Sequence, residues 1–510
     1  MSLRYPPTVE RWCVFEVSLP GPSDGNPYTE QSVCATFTGA QETVRAYGFY
    51  DGDGIYRVRF MPSFEGAYTF VIESSFADAQ TGTFAVMPAS PGNHGPVRVS
   101  GTYHFAYEDG TPHFSIGTTC YAWTHQPDAL VEETLATLAD SAFNKIRFCI
   151  LPKHYIHNFR DPVTFPWEGT PVSVEGLDEQ SFLDGSWTPV RPNEWDFTRF
   201  VPEHFRRIER CIERVMALGI EADLIVMHPY DRWGFSKMTK AQDDLYWKYV
   251  VARFAAYRNV WWSLANEYDL MAAKAPEDWE RYAAILTERD PYRHLRSVHN
   301  CLHLYDFTRP WVTHCSVQRV DVYKSCELVD QLRQRYGKPV VMDEICYEGD
   351  IDQGWGNITG QELVRRFWEA TVRGGYAGHG ETFLHPDDIL WWSHGGTLHG
   401  ESGARLRFLR DFMATLPTCD MRPAQASWDV PCAVPEGEVM RADPSFQLHY
   451  FGFFRPRFRD FTLPEGARYS VQVIDTWNMT VEDRGMHEGR VRVELPGREY
   501  IAVCLRAIRN

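Results

Sequence analysis

Several things are missing from this chain of 510 residues. No window approaches the ~18 uninterrupted apolar residues of a membrane-crossing helix, and the opening MSLRYPPTVERW lacks the apolar stretch of a secretion signal. Those absences argue against a helical membrane protein and lead us to expect a cytoplasmic location. The 12 cysteines form no CxxC pair and follow no regular spacing. Neither a zinc ribbon nor a disulfide framework is therefore expected, and the thiols are read as free. His-x-His, a common pair in metal-dependent barrel hydrolases, occurs nowhere among the 18 histidines, so no metal and no cofactor are expected. Basic residues are outnumbered, 51 Lys and Arg against 68 Asp and Glu for a net charge of −17, which disfavours nucleic acid as a partner. Internal repeats, low-complexity tracts and long charge runs are also absent.

What is present is aromatic. Phe, Trp and Tyr make up 14% of the chain, with 17 Trp, against an ordinary 44% hydrophobic and 23% charged background. Most of these rings fill cores, but flat apolar faces are also what a sugar ring stacks on. The length exceeds one core, since single cores stop growing near ~250–300 residues. Three segments are distinguishable: 1–90, 100–415 and 425–510. The first and last consist of short β-like runs with alternating polarity, such as YRVRF and YSVQVIDTW, broken by Gly and Asp turns, and are predicted to be β-sandwich domains. The DGDG at Asp51–Gly54 is read as a hairpin turn, because no Glu follows at calcium-loop spacing. MPASPGNHGPVRVSG is read as the linker into the middle segment.

The middle segment alternates apolar runs with amphipathic stretches. HFSIGTT, NKIRFCI, EADLIVM, NVWWSLA, HLRSVHN, VTHCSVQ, PVVMDEI and AGHGETF make eight candidate strands, and stretches such as HFRRIERCIERVMALG repeat apolar residues at steps of three and four. Eight such units predict a (β/α)8 TIM barrel between two β-sandwiches, a multidomain α/β and all-β architecture; a doubly wound sheet is the alternative.

Barrel chemistry gathers where strands end. The fourth candidate strand ends in Asn266 and Glu267, and the seventh in Asp343 and Glu344. These ends face each other across a barrel mouth, and two facing carboxylates are what glycoside cleavage requires: one protonates the leaving oxygen while the other attacks or stabilises the anomeric carbon. Because strand neighbours point to opposite faces, only one of Asp343 and Glu344 is expected at the mouth. Tyr121 and Trp123 after the first strand, and Trp391 and Trp392 after the eighth, are candidates for sugar stacking. His228 and Tyr230 after the third strand, His299 and Asn300 after the fifth, and His314 in the sixth are candidate hydroxyl ligands or structural residues. Asp269 and Glu381 are weaker acidic candidates.

This arrangement resembles the large clan of retaining (β/α)8 glycoside hydrolases that includes cellulases, β-galactosidases and β-mannanases. The likeness rests on WWSLANE and KPVVMDE, with support from KIRFCI and the WDFTRF…LIVM stretch, and covers the middle segment. It implies that Glu267 is the acid/base, Glu344 the nucleophile, Asn266 the ligand of the sugar 2-hydroxyl, and Arg147 the residue steadying the nucleophile's charge. The layout also resembles a bacterial group of three-domain glycosidases whose flanking domains have no assigned function. The implied partner is an oligosaccharide or glycoside, with no nucleic acid and no membrane. A non-catalytic carbohydrate-binding scaffold and a metal-dependent barrel hydrolase are the competing classes, and self-association is left open.

Overall fold

The computed structural model describes residues 3–319, 321, 324–385, 390–424, 429–438 and 441–508. Its centre is an eight-stranded parallel sheet whose members are all found in the apolar runs singled out above. They are Ile116–Thr119, Lys145–Cys149, Glu221–Met227, Val260–Ala265, Arg296–Ser297, Cys315–Gln318, Val340–Glu344 and Tyr376–His379. Each pairs with its sequence neighbour except the short fifth and sixth, and the eighth pairs with the first. A single parallel bridge, His299–Ser316, joins the fifth and sixth, so the sheet is a nearly closed barrel. Burial on both faces explains why these strands read as continuous apolar runs rather than alternating ones.

Helices cover the outside. Pro202–Ala217 buries Phe205, Ile208, Cys211, Ile212 and Val215, the stripe expected from the sequence. Asp128–Ala139, Lys240–Phe254, Pro276–Arg289 and Gly360–Val372 also lie between or after the barrel strands. Val329–Tyr336 and Ser402–Ala414 are additional. So is an excursion between the second strand and its helix, which carries two small antiparallel pairs, Trp167–Thr170 with Glu194–Phe200 and Ser173–Glu175 with Thr188–Arg191.

Other sheets lie before and after the barrel. Upstream are a five-stranded sheet and a three-stranded sheet, with Phe15, Val17 and Leu19 buried on alternate positions of one strand. Asp51–Gly54 does form the turn between Phe49–Tyr50 and Ile55–Phe60, with Gly52, Asp53 and Gly54 all at positive φ. Downstream, a six-stranded and a two-stranded sheet enclose Phe461, Val471, Val491 and Val503. The expected start of this last unit, residue 425, lies outside the described residues.

The stretch read as a linker is partly structured. Val97–Ser100 pairs with His104–Tyr107, and Val97 and Phe105 pack on Trp261, Leu295, Val341 and Tyr376. This hairpin plugs the barrel at the end opposite the carboxylates, which is why its apolar residues interrupt a Pro- and Gly-rich run.

Candidate active site

Past the fourth strand, the backbone at Glu267 turns into the left-handed region, with φ at 48°. A non-glycine residue held there costs on the order of 1–3 kcal/mol, so the surroundings must enforce it. The turn has a geometric result. In a continuing strand Asn266 and Glu267 would point to opposite faces; here both reach one cavity, and Asn266 Nδ2 donates to Glu267 Oε2 at 3.3 Å.

The seventh strand solves the same problem differently. Its pairing with the sixth shifts register, Ser316 facing Val341 but Gln318 facing Glu344, so the seventh strand carries one extra residue. Such a bulge re-aims side chains. Asp343 points into the barrel interior, held by Lys145 Nζ at 2.7 Å and by Ser316 Oγ at 2.6 Å. Burial alone would raise the Asp343 pKa, but Lys145 and Arg147 hold it well below the usual carboxylate range. Glu344, one residue on, reaches the cavity, so Asp343 and Glu344 do not compete for the mouth.

Glu344 sits in a tight hydrogen-bonded frame. Arg147 Nη1 donates to its Oε1 at 3.1 Å and to Asn266 Oδ1 at 2.8 Å. The Tyr121 hydroxyl lies within hydrogen-bond reach of both the same carboxylate and Asn266 Oδ1. His299 Nε2 is 3.8 Å from Glu344 Oε1, and burial and Arg147 keep its pKa well below the ordinary histidine value, so the ring is neutral. Glu267, in turn, accepts from the Tyr230 hydroxyl. Burial, and then the negative charge of Glu344, push Glu267 up to about 7, against the opposing pull of Lys153.

The cavity between them has a volume of about 300 Å³. Tyr121 and Trp392 line it, with Tyr155, Tyr230, Tyr347 and Trp355. Trp123 and Trp391, the other two stacking candidates, lie outside its lining: Trp123 packs edge-on against Phe148, and Trp391 packs near Phe143 with its Nε1 donating to Thr118. His228 is likewise a structural residue, buried and donating Nε2–H to the Leu151 carbonyl at 3.0 Å. His314 packs against Phe105 and Trp261 at the barrel floor. Asn300 bonds the backbone of Gln318, and Asp269 caps three successive amides, Cys301 to His303, holding the loop beside Glu267. Glu381 binds backbone amides behind the cavity wall.

Several lining residues, Tyr155, Tyr347, Trp355 and Lys153 among them, have no counterpart among the candidates, and Lys153 is the charged one. Lys153, buried beyond the second strand, places Nζ 3.4 Å from the Tyr121 ring centroid and 4.5 and 4.6 Å from those of Tyr230 and Trp392. Aromatic faces and the negative charges of Glu267 and Glu344 surround its ammonium and offset its charge. Burial pushes its pKa down to about 8. Its only trace in the sequence is position, in LPKHY directly after a strand.

Residues 100–418 match the family described as apiosidase-like, catalytic domain. Residues 8–75 and 428–506 match two domains of unknown function, DUF5060 and DUF5605. A crystal structure from Bacteroides vulgatus, named as a candidate glycoside hydrolase, aligns with TM-score 0.89 at 35% identity over 98% of this chain and 100% of that one. A glycoside hydrolase and a family 5 glycoside hydrolase from Bacteroides vulgatus each align with TM-score 0.60 at 15% identity. They cover 82% of this chain and 98% and 94% of their own, a likeness of fold. No curated protein gives a significant match. With more than half of its length matched by the family and a relative at 35% identity along nearly all of it, this chain belongs to the apiosidase-like family and carries a glycoside hydrolase-like catalytic domain.

Proposed function

We propose that the chain is a retaining exo-glycosidase that removes one terminal sugar from an oligosaccharide or small glycoside. The observation that carries this reading is the pair of carboxylates on one cavity, with unlike surroundings. Glu267, held up to about 7, is still largely protonated below neutral pH and about half protonated at it, while Glu344 faces the guanidinium of Arg147.

In the first step Glu267 gives its proton to the glycosidic oxygen as that bond breaks, and a Glu344 oxygen bonds to the anomeric carbon. The aglycone leaves as an alcohol, and the sugar stays as an ester of Glu344. That ester carries no charge, so the repulsion that raised Glu267 disappears and its pKa falls. Glu267 can then take a proton from water as the water oxygen attacks the anomeric carbon and Glu344 departs. Two displacements return the original configuration. Asn266, which donates to Glu267 and accepts from Arg147 and Tyr121, the partners of Glu344, is placed to hold the hydroxyl beside the anomeric carbon.

The substrate follows from size and surface. A volume of about 300 Å³ is at the lower end of small-molecule sites, which favours one ring, and the aromatic wall suits its apolar face. Family membership makes terminal apiosides the first substrates to try.

The test is a panel of aryl glycosides, apiosides included, with Glu267→Ala and Glu344→Ala as controls, followed by 2-fluoroglycoside labelling read by peptide mass spectrometry. Covalent label on Glu344 is expected. Full activity in Glu344→Ala, or hydrolysis with inverted configuration, would overturn the reading.

A further inference from the structure

Behind the cavity wall lies a second cluster of chemistry-bearing side chains that the glycosidase reading leaves unused. Glu348 and Glu381 are paired in register on two short parallel strands, Glu348–Gly349 and Glu381–Thr382, that continue beyond the seventh and eighth barrel strands. His379 ends the eighth. One ligand atom from each of the three lies within 4.8 Å of the others, the one such cluster among the described residues. All three side chains are buried.

Two neighbouring carboxylates at such burial need compensation. The amides of His399 and Gly400 donate to Glu381, and those of Glu401 and Ser402 to Glu348 at 2.7 and 3.0 Å, so both cap the start of helix Ser402–Ala414. A helix N-terminus offers roughly half a positive charge, which cannot balance two buried carboxylates. Among the described residues neither forms an ion pair with Lys or Arg.

His379 supplies an independent observation. Its Nδ1 is engaged by Thr118 Oγ1 at 2.9 Å, and Thr118 is itself fixed by Trp391 Nε1 at 2.8 Å. In the tautomer that donates Nδ1–H to Thr118, the lone pair sits on Nε2, which is fully buried and has no hydrogen-bond partner. An imidazole held by its other nitrogen and turned toward carboxylates is how metal-binding histidines are oriented. Ser402 Oγ, in the same cap, is a second buried polar atom with no partner.

We propose that Glu348, His379 and Glu381 bind a divalent transition-metal ion of the Zn²⁺ or Mn²⁺ class, as a structural brace rather than a catalytic group. One nitrogen and two carboxylates suit such ions better than they suit Ca²⁺ or Mg²⁺, which favour oxygen alone. Metal bonds of about 2.0–2.2 Å put opposed ligands up to about 4.4 Å apart, so a cluster within 4.8 Å needs only small side-chain shifts. The ion would tie the seventh and eighth strand ends to helix Ser402–Ala414. Tyr347, which lines the cavity, immediately precedes Glu348, and its ring fills the space beside Gly380.

The experiment uses the full chain, stripped with EDTA and then dialysed against Zn²⁺, Mn²⁺ or Co²⁺. We expect one tightly held ion per chain by elemental mass spectrometry, a melting temperature several degrees above the stripped protein, and a Co²⁺ d–d absorption band. Glu381→Gln and His379→Gln should each bind at least tenfold more weakly and lose the band. No stoichiometric binding to the unmodified chain, with one melting temperature in all conditions, would mean that a proton holds the two carboxylates together, and the site would be rejected. Binding left unchanged in both variants would also reject it, by locating the ion elsewhere. None of these readings depends on whether the cavity hydrolyses glycosides.

Discussion

Glu267 carries the sharpest expectations at the scale of single residues. In the proposed mechanism, replacing it with Gln removes acid catalysis, so kcat should fall by about 10²–10⁴-fold for substrates with poor leaving groups and far less for activated aryl glycosides. The rate of the unmodified enzyme should decline as pH rises past about 7, where Glu267 loses its proton. Lys153 lowers that value by its charge, so Lys153→Met should move the alkaline limb of kcat/KM upward, and an unmoved limb would refute the charge assignment. The same shift has a stability sign. An acid raised from 4.5 to about 7 on folding binds more protons folded than unfolded in that window, so stability present below 4.5 is lost as pH rises through 7. At 1.36 kcal/mol per pKa unit this amounts to about 3 kcal/mol. Glu267→Gln should therefore melt above the parent at pH 8 and converge with it near pH 4.5.

At the scale of elements, buried charge fastens the upstream sheets to the barrel. Arg59 and Arg253 both bond Glu209, on helix Pro202–Ala217, at 2.6 and 2.7 Å, and Arg253 also bonds Asp51 of the DGDG turn at 2.8 Å. Against the upward push of burial, the two guanidinium groups lower the Glu209 pKa from 4.5 to about 2. A depressed carboxylate stabilises above its unfolded pKa and loses that contribution as pH falls through its folded value. Glu209→Gln should thus cost on the order of 3–5 kcal/mol at pH 7, as expected when one partner leaves a buried ion cluster, with the difference shrinking toward pH 2. Denaturant unfolding at both pH values checks it. The apolar content of the barrel strands and the stripe on Pro202–Ala217 were legible because burial imposes a period on sequence. The excursion after the second strand was not, because its short, largely exposed pairs impose none.

For the whole molecule, the interface implies mutual dependence. Tyr28 donates to the Phe200 carbonyl at 2.8 Å and Tyr249 to the Tyr50 carbonyl at 3.0 Å, so the upstream sheets cover polar and aromatic surface that the barrel alone would expose. A chain shortened to begin after residue 95 should melt at lower temperature and aggregate more readily, even though every cavity residue is retained; an unchanged melting temperature in calorimetry would show that the units are independent. At the other side, Trp368 stacks on Tyr450 with centroids 5.7 Å apart, tying the downstream sheet to the barrel's outer helices.

The sequence by itself determined the eight strands, most of their helices, and the strand ends where Glu267 and Glu344 lie, because runs of apolar residues and their spacing are a local record of burial. Tertiary structure alone decided how adjacent residues were used. A left-handed turn brings Asn266 and Glu267 to one cavity, and a bulge sends Asp343 down to Lys145 while Glu344 turns upward. It also separated Trp392 from Trp391 and brought Lys153 beside both carboxylates, from a loop whose spacing gave no sign of either. The physical reason is the same in each case: a side chain's direction depends on backbone dihedrals and register set by distant partners, and neither leaves a period in the chain.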